Sequence, residues 1–425
     1  MPVRRVGGAT GSVFAYTHEL DDWLRNRHSF FEDQATEISP VLVPTASVEG
    51  RLDSEKPHRC ADVPDTAREE SEALVALARK MWRVLSYSSL SRVAQTFRQA
   101  IDQDCTSAAA FAGLSAALTV DSLLGGPESQ DAFASAKAAL RRAMELDPDF
   151  PEAVCMSGWI KILEKRDRDS AHLALQTARR ERRLTARSLV GLGLLHVSEG
   201  KVEEASACFH QASQQSALNT IYAEFNCWGM YLAGDFPGLV RLIAQDRSIG
   251  RSGPLLDAIE AMVLVLTGQP ISKMEKLRGS SMTGHPNPVL LGVLGYAYAA
   301  TEQRQKAEEL LGQLKTTRLS EQNHYAVALI LLGLRRDQEA VERLRLSYEA
   351  GSLWSLAFRS DPMLHRLSGC EQFCGFIRSV NRSLEAGEVF ASEEPRALSF
   401  AEKKVIQGEH ISSGRHTARY RSRKI

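Results

Sequence analysis

The sequence predicts an all-α protein, an array of antiparallel helix pairs preceded by a small β-hairpin and one further helix. The first observation is that apolar side chains recur with helical spacing from about residue 72 to residue 379. Short Gly, Pro and Asn/Asp segments interrupt this pattern, and it contains no convincing run of alternating strand residues. The second observation is an internal repeat of nearly constant length, which indicates stacked helical units.

The repeat is a spacing of small, large and small side chains along the second helix of each unit. Its clearest copy is Ala205, Phe209 and Ala212, where the small residues allow two helices to approach closely. The other copies are Val93, Phe97 and Ala100, then Ala136, Leu140 and Ala143, then Ala171, Leu175 and Ala178. The closing small residues at positions 143, 178 and 212 are 35 and 34 residues apart. This regularity favours one elongated array over separate compact domains.

Over about 300 residues the pattern resembles the tetratricopeptide repeat (TPR) superfamily, whose period is about 34 residues. The segment Leu146, Asp147 and Pro148 matches the stop that follows such a helix pair. Residues 360–377, SDPMLHRLSGCEQFCGFI, are similar to the end of divergent TPR arrays that bacteria attach to winged-helix DNA-binding domains. The resemblance implies a right-handed superhelical TPR solenoid of about six to eight helix pairs that has no catalytic role.

The same resemblance implies a concave groove, lined by the first helix of each pair, that receives an extended peptide or a partner helix. Carrying the groove positions onto this sequence gives the partner-groove candidates Trp159, Arg187, Leu194, Glu224, Trp228 and Tyr231. The groove is therefore largely apolar and lacks the basic clamp that binds acidic chaperone tails. We expect a protein or peptide partner, or a second copy of this chain. Core packing between helices is the alternative for Trp159 and Trp228.

Residues 4–27 resemble the end of an excisionase-like or MerR-like winged-helix domain, with a wing hairpin between residues 3–6 and 13–16 and a helix over residues 18–27. The resemblance implies that Arg4 and Arg5 contact DNA phosphates. The recognition helix that would precede the wing is missing. Three interpretations stay open: a start upstream of Met1, a gene that has lost this part, or a hairpin that only caps the array.

The chain divides into four predicted segments. Residues 1–28 form a truncated winged-helix-like element, residues 29–68 a proline-containing linker, residues 69–382 the repeat array, and residues 383–425 a disordered basic tail. Within the array, residues 122–131 contain the extra length of the second unit, and we expect an enlarged loop there.

Composition argues against several other functions. Lys plus Arg and Asp plus Glu number 52 each, so the net charge is zero and any DNA contact must be local. Zinc-protease, phosphate-loop and serine-nucleophile motifs are missing, so we expect neither catalysis nor a cofactor nor a metal. The seven scattered cysteines indicate reduced core thiols. No apolar run is long enough to span a membrane, which favours a cytoplasmic protein without a membrane partner.

Together these features predict the sensor or adaptor part of a bacterial transcriptional regulator, in which the array holds a protein and the N-terminal element reaches DNA if that element is complete. The alternative is a scaffold or assembly protein without a DNA-binding role.

Overall fold

The computed structural model describes residues 4–5, 13–14, 63–125, 129–164, 168–180, 185–280, 287–316 and 321–380. The chain separates into two units, Met1–Arg59 and Cys60–Ile425. In the first unit, strand β1 (Arg4–Arg5) pairs antiparallel with strand β2 (Val13–Phe14). The residues that join these strands and the expected helix over residues 18–27 lie outside the described residues. A two-residue ladder does not establish the predicted wing, so the hairpin with its helix is not confirmed.

The described part of the second unit is helical and contains eight consecutive helix pairs. The pairs are α1 (Asp65–Arg83) with α2 (Leu90–Gln103), α3 (Ala108–Leu124) with α4 (Ser129–Leu146), α5 (Pro151–Glu164) with α6 (Arg168–Arg180), α7 (Ala186–Glu199) with α8 (Val202–Gln215), α9 (Thr220–Leu232) with α10 (Phe236–Ser248), α11 (Pro254–Leu266) with α12 (Ile271–Ser280), α13 (Pro288–Ala300) with α14 (Arg304–Thr316), and α15 (Glu321–Gly333) with α16 (Asp337–Glu349). Three 3₁₀ helices (Tyr87–Ser89, Leu353–Leu356 and Pro362–Gly369) and helix α17 (Glu371–Val380) complete the described elements.

The helix pairs stack in sequence order. In each pair the first helix contacts its own second helix and also the first helix of the next pair. The second helix of every pair except the last contacts the first helix of the following pair. Each unit thus buries its apolar surface mainly against its neighbours, as expected of a repeat array. The all-helical fold class is confirmed for the described part of this unit.

The small–large–small spacing identifies the second helices because it creates close helix contacts. On α8 the ring of Phe209 is fully buried, with Ala205 and Ala212 on either side of it. A Cβ added at Gly193 of α7 would lie 2.3 Å from Phe209 Cε1, and one added at Gly229 of α9 would lie 2.9 Å from Phe209 Cδ2. The ring therefore occupies space left by glycines on both flanking helices, which fixes how α7, α8 and α9 pack.

The first and second helices differ in how much of their circumference is buried. Most positions of the first helices α3, α5, α7, α9 and α13 are buried, and the apolar residues go all the way around these helices. The second helices bury only one stripe, such as the three residues of α8 named above. A helix that is apolar on every side must be covered on every side. The layer of first helices is therefore enclosed by the second helices on one face and by other parts of the chain on the opposite face.

Side-chain caps determine where several first helices begin. The side chains of Ser107, Thr185, Asn219 and Asn287 accept hydrogen bonds from backbone N–H groups in the first turns of α3, α7, α9 and α13. These bonds satisfy donors that would otherwise have no partner within the helix. At the other end of α7, Gly200 adopts a φ of 77°, a left-handed conformation that ends the helix and suits glycine.

The prediction of an enlarged loop at residues 122–131 is wrong. Helix α3 continues to Leu124 and α4 begins at Ser129, so most of the extra residues lengthen these two helices instead. The apolar run at Leu123 and Leu124 favours a further turn of buried helix. Helix α1 begins at Asp65, within the segment that the sequence assigned to the linker.

The first pair is also tied to the fifth pair, far away in sequence. The side-chain amide of Asn219 donates to the Trp82 carbonyl oxygen at 2.8 Å, and the Thr220 backbone N–H donates to the Leu85 carbonyl oxygen at 2.9 Å. The indole N–H of Trp82 donates to the Tyr222 hydroxyl at 2.9 Å. We call this set of contacts the α1–α9 clasp. It joins two pairs that are separated by three others along the chain.

We expect Gly193→Ala to lower the free energy of unfolding by about 1–3 kcal/mol, because the new methyl group overlaps the buried Phe209 ring. Gly312→Ala on α14 is the matched control, since an added Cβ there meets no atom within 4 Å. That control should raise stability by about 0.5–1 kcal/mol through helix propensity. Urea denaturation followed by circular dichroism measures both changes. Equal effects of the two substitutions would contradict the close approach of α7 and α8.

Candidate functional site

The six predicted groove residues lie on three successive first helices. Trp159 is on α5, Arg187 and Leu194 are on α7, and Glu224, Trp228 and Tyr231 are on α9. Five of them are at most 2% exposed, and only Arg187 is partly exposed. The structure thus brings these residues onto one layer, as the sequence predicted, but the described chain encloses them. Their role as partner contacts stays a prediction.

The covering element on part of this layer is a segment near the C-terminal end of the described chain. After α16, Gly351 has a φ of 76°, and the chain turns back toward the first helices. We call residues 351–369 the return segment. Its 3₁₀ helix Leu353–Leu356 contacts α7, α15 and α16, and its 3₁₀ helix Pro362–Gly369 contacts α11. The return segment therefore bridges first helices of the fourth, sixth and eighth pairs.

Aromatic rings hold the return segment in place. The Trp354 indole stacks on the Tyr325 ring with centroids 5.1 Å apart and an interplanar angle of 2°. Its edge meets the Trp228 ring at 6.3 Å. Phe358 stacks on the Tyr325 ring with centroids 6.1 Å apart. Such pairs contribute about 0.5–1.5 kcal/mol each beyond their burial. Trp354 thus fills a slot between α9 and α15.

A buried carboxylate provides the second attachment. The Tyr231 hydroxyl donates to Asp361 Oδ1 at 2.6 Å, and the Tyr325 hydroxyl donates to Asp361 Oδ2. The Met363 backbone N–H also donates to Oδ1 at 2.9 Å. Burial raises the pKa of the Asp361 carboxyl, and the three hydrogen bonds oppose that rise. Burial is the main cause that raises the pKa of both tyrosines, and the charge of the nearby Asp361 is the second cause. Their hydroxyls therefore keep their protons and donate.

Glu224 joins α9 to α11. Its Oε2 accepts hydrogen bonds from the backbone N–H groups of Leu255 and Leu256, both at 3.1 Å. Helix α11 has no side-chain cap of its own at Gly253, so Glu224 satisfies its N-terminal donors. The pKa of the Glu224 carboxyl is raised to about 8, chiefly by burial and also by the nearby charge of Asp257, while the two backbone hydrogen bonds and Arg247 oppose the rise.

Trp159 and Arg187 take part in contacts between pairs. The indole N–H of Trp159 donates to the Arg187 carbonyl oxygen at 3.3 Å, which ties α5 to α7. The Arg187 guanidinium lies 4.4 Å from the centroid of the Trp82 ring. In this conformation Trp159 packs between helices, in agreement with the core-packing alternative. The buried indole N–H of Trp228, in contrast, has no hydrogen-bond acceptor among the described residues.

Sequence reasoning missed Trp354 and Tyr325, the two aromatic residues that complete the site. Asp361 did stand out, within the SDP sequence that resembles the end of divergent TPR arrays. A signal was available in the first helices themselves, since their apolar residues leave no polar side to face a solvent-filled groove. That pattern predicts a covering segment, although it does not say which segment.

The N-terminal candidates Arg4 and Arg5 lie on β1, where Arg4 is opposite Phe14 and Arg5 is opposite Val13. Both belong to the first unit.

The cysteine prediction needs one correction. Cys105 is disulfide-bonded rather than reduced, and its partner lies outside the described residues. Cys155, Cys208, Cys227, Cys370 and Cys374 are free thiols.

Within the described ranges, no cluster of three His, Cys, Asp or Glu side chains has the arrangement of a metal site. The helices described also include none that is long and apolar enough to cross a membrane.

Comparisons with known proteins give no match to a protein-family model and none to a curated protein. Among solved structures, the chain is similar to the APC/C hetero-tetramer Cut9–Hcn1 at 16% identity and a TM-score of 0.44, over 70% of this chain and 57% of that one. Yeast Tom70 is similar at 14% identity and a TM-score of 0.36, over 86% of this chain and 78% of that one. The TPR domain of P58(IPK) is similar at 13% identity and a TM-score of 0.19, over 70% and 99%.

The raised pKa of Glu224 predicts a pH dependence of stability. Because the folded state binds this proton up to about pH 8 and the unfolded carboxyl releases it near pH 4.5, the folded state loses stability as the pH rises between these values. The expected slope is up to roughly 1.4 kcal/mol per pH unit. Urea titrations from pH 5 to pH 8 should show this contribution in the wild-type chain, and Glu224→Gln should lower the slope by up to roughly 1.4 kcal/mol per pH unit. The exposed Glu203→Gln is the control, and an unchanged slope in Glu224→Gln would contradict the assignment.

Proposed function

We propose that this chain is a non-catalytic, TPR-type protein-binding module that takes an extended segment of a partner on its first helices. The proposal is supported by the way in which the return segment packs on the first helices. A stretch of chain that carries the aromatic Trp354 and the buried carboxyl of Asp361 lies on α9 and α15, where stacked rings and carboxylate hydrogen bonds hold it. A surface that binds one such segment has the chemistry to bind another.

The groups on this surface define the chemistry of the partner. Trp228 and Tyr325 form a slot for an aromatic ring, and the hydroxyls of Tyr231 and Tyr325 donate to a carboxylate. Two donors of this kind hold a carboxylate without a basic side chain. We therefore propose that the partner is a protein segment that combines an aromatic and an acidic residue, rather than a chaperone tail that needs a cationic clamp.

A finer proposal concerns the N-terminal element. Its resemblance to the wing of a winged-helix domain supports the sensor or adaptor part of a bacterial transcriptional regulator, with Arg4 and Arg5 as phosphate contacts. The alternative is a scaffold or assembly protein without a DNA-binding role, for which the same element is a cap.

Photo-crosslinking in cells tests the protein-binding proposal. Benzoylphenylalanine at Phe133, which lies beside the return segment, should capture a defined partner protein when irradiated. The control position is Leu173 on α6, which is 66% exposed and does not line the crevice that Phe133 shares with residues 351–353. An adduct at Phe133 that is missing at Leu173 is expected. Adducts at Leu173 alone would place partner binding on another surface and would overturn the proposal.

DNA binding tests the regulator proposal. Arg4→Ala combined with Arg5→Ala should weaken binding of the full chain to mixed-sequence duplex DNA, and should reduce its salt dependence by a slope of about two, because each phosphate contact releases counterions. The matched control is Arg141→Ala combined with Arg142→Ala, an adjacent pair on α4. Fluorescence anisotropy between 50 and 200 mM salt measures both. A wild-type chain that binds no DNA at 50 mM salt would favour the scaffold alternative.

A further inference from the structure

The return segment has two attachments seven residues apart, and each has one side on α9 and one on α15. Trp354 lies between the rings of Trp228 and Tyr325, and Asp361 lies between the hydroxyls of Tyr231 and Tyr325. The segment between them is short and contains no α-helix. Other side chains of the segment, among them Leu353, Phe358 and Leu367, are buried as well. The arrangement resembles a seated peptide more than a further repeat unit, because the segment contains no pair of α-helices.

We propose that the return segment is an autoinhibitory occupant of the binding surface, and that a partner peptide with an aromatic residue followed seven positions later by a carboxylate displaces it. The inference rests on the proposed function and specifies its partner and its regulation. The chemistry of the seated segment indicates the kind of segment that the surface recognises.

The contacts of the return segment divide into two groups. Arg366 donates to the Leu332 carbonyl oxygen at 3.0 Å and to the Asp337 carboxylate at 2.9 and 3.0 Å. These bonds hold the segment to the last helix pair, which directly precedes it in the chain. The contacts of Trp354 with Trp228 and of Asp361 with Tyr231 reach instead to α9, two of whose residues lie 126 and 130 positions earlier. Its 3₁₀ helices also contact α7 and α11. Release of the segment therefore means separation from α7, α9 and α11 while Arg366 keeps it attached to the last pair.

The return segment leaves small gaps and unpaired polar groups where it packs, and these favour its replacement by another segment. A crevice lies on each side of Leu353, one bounded by Leu123 and Leu163 and the other by Leu124 and Val289. The buried indole N–H of Trp228 and the buried hydroxyl of Ser352 have no hydrogen-bond partners among the described residues. A partner segment that offers a carbonyl oxygen to Trp228 gains a contact that the return segment does not make.

The test uses the full chain and a fluorescein-labelled synthetic peptide with the sequence of residues 351–369. Asp361→Asn weakens the attachment to Tyr231 and Tyr325 while leaving both tyrosines in place for the peptide. Asp65→Asn is the matched control, since the Asp65 side chain is 95% exposed. Anisotropy should show binding to Asp361→Asn at least roughly tenfold tighter than to the wild type or the control, because apparent affinity scales with the open fraction. A peptide that carries the Asp361→Asn or the Trp354→Ala change should bind at least roughly tenfold more weakly.

Two further measurements keep the outcome interpretable. Trypsin cleavage after Arg359 reports the release of the return segment and should be faster in Asp361→Asn. Trp354→Leu is a second variant that removes the stacked indole, keeps an apolar side chain and leaves the receiving residues unchanged. Far-ultraviolet circular dichroism establishes that each variant retains its helices.

The outcomes separate the inference from the proposed function. Equal, tight peptide binding by the wild type and both variants would overturn autoinhibition but leave peptide binding intact. Release of the return segment in a folded variant that does not bind the peptide would overturn both. Unchanged trypsin cleavage in both variants would show that neither Asp361 nor Trp354 holds the segment, and would overturn the proposed attachment.

Discussion

The structure depends on the need to cover the first helices on two faces. In α3, α5, α7, α9 and α13 the apolar residues go all the way around the helix, so the second helices alone cannot bury them. The exposed apolar surface of an open groove would favour association or collapse. In this chain the return segment covers part of that inner face, and it does so through Trp354 and Asp361. The position of the candidate site follows directly from this constraint.

Helix α9 connects the main parts of the site. Near its N-terminal end, Asn219 holds α1 and Glu224 caps α11, while Trp228 and Tyr231 near its other end hold the return segment. Two buried carboxyls that join elements here, those of Glu224 and Asp361, each accept more than one hydrogen bond, as buried acidic groups require. Their bonds join different helices, so they fix the relative positions of elements rather than the conformation of one helix.

The sequence predicted the features that depend on neighbouring units and missed those that depend on distant ones. The spacing of Ala205, Phe209 and Ala212 identifies a second helix, because its packing partners are the helices immediately before and after it. The bond between Tyr231 and Asp361 has no such signal, since 130 residues separate the two and no period links them. The long α3 shows the same limit at short range, because Gly and Pro near position 125 indicated a loop where buried leucines extend the helix.

The α1–α9 clasp changes how this array should unfold. In a repeat array with contacts only between neighbours, stability is the sum of the terms of each unit and of each interface, so a terminal unit, which has one neighbour, can fray by itself. The bonds from Asn219 and Thr220 to residues 82 and 85 attach the terminal pair to the middle of the array. The first pair therefore cannot fray without losing contacts with the fifth pair. Cooperativity then extends across the first five pairs. Under heat or mechanical force, we expect these pairs to unfold together in one transition and not one after another.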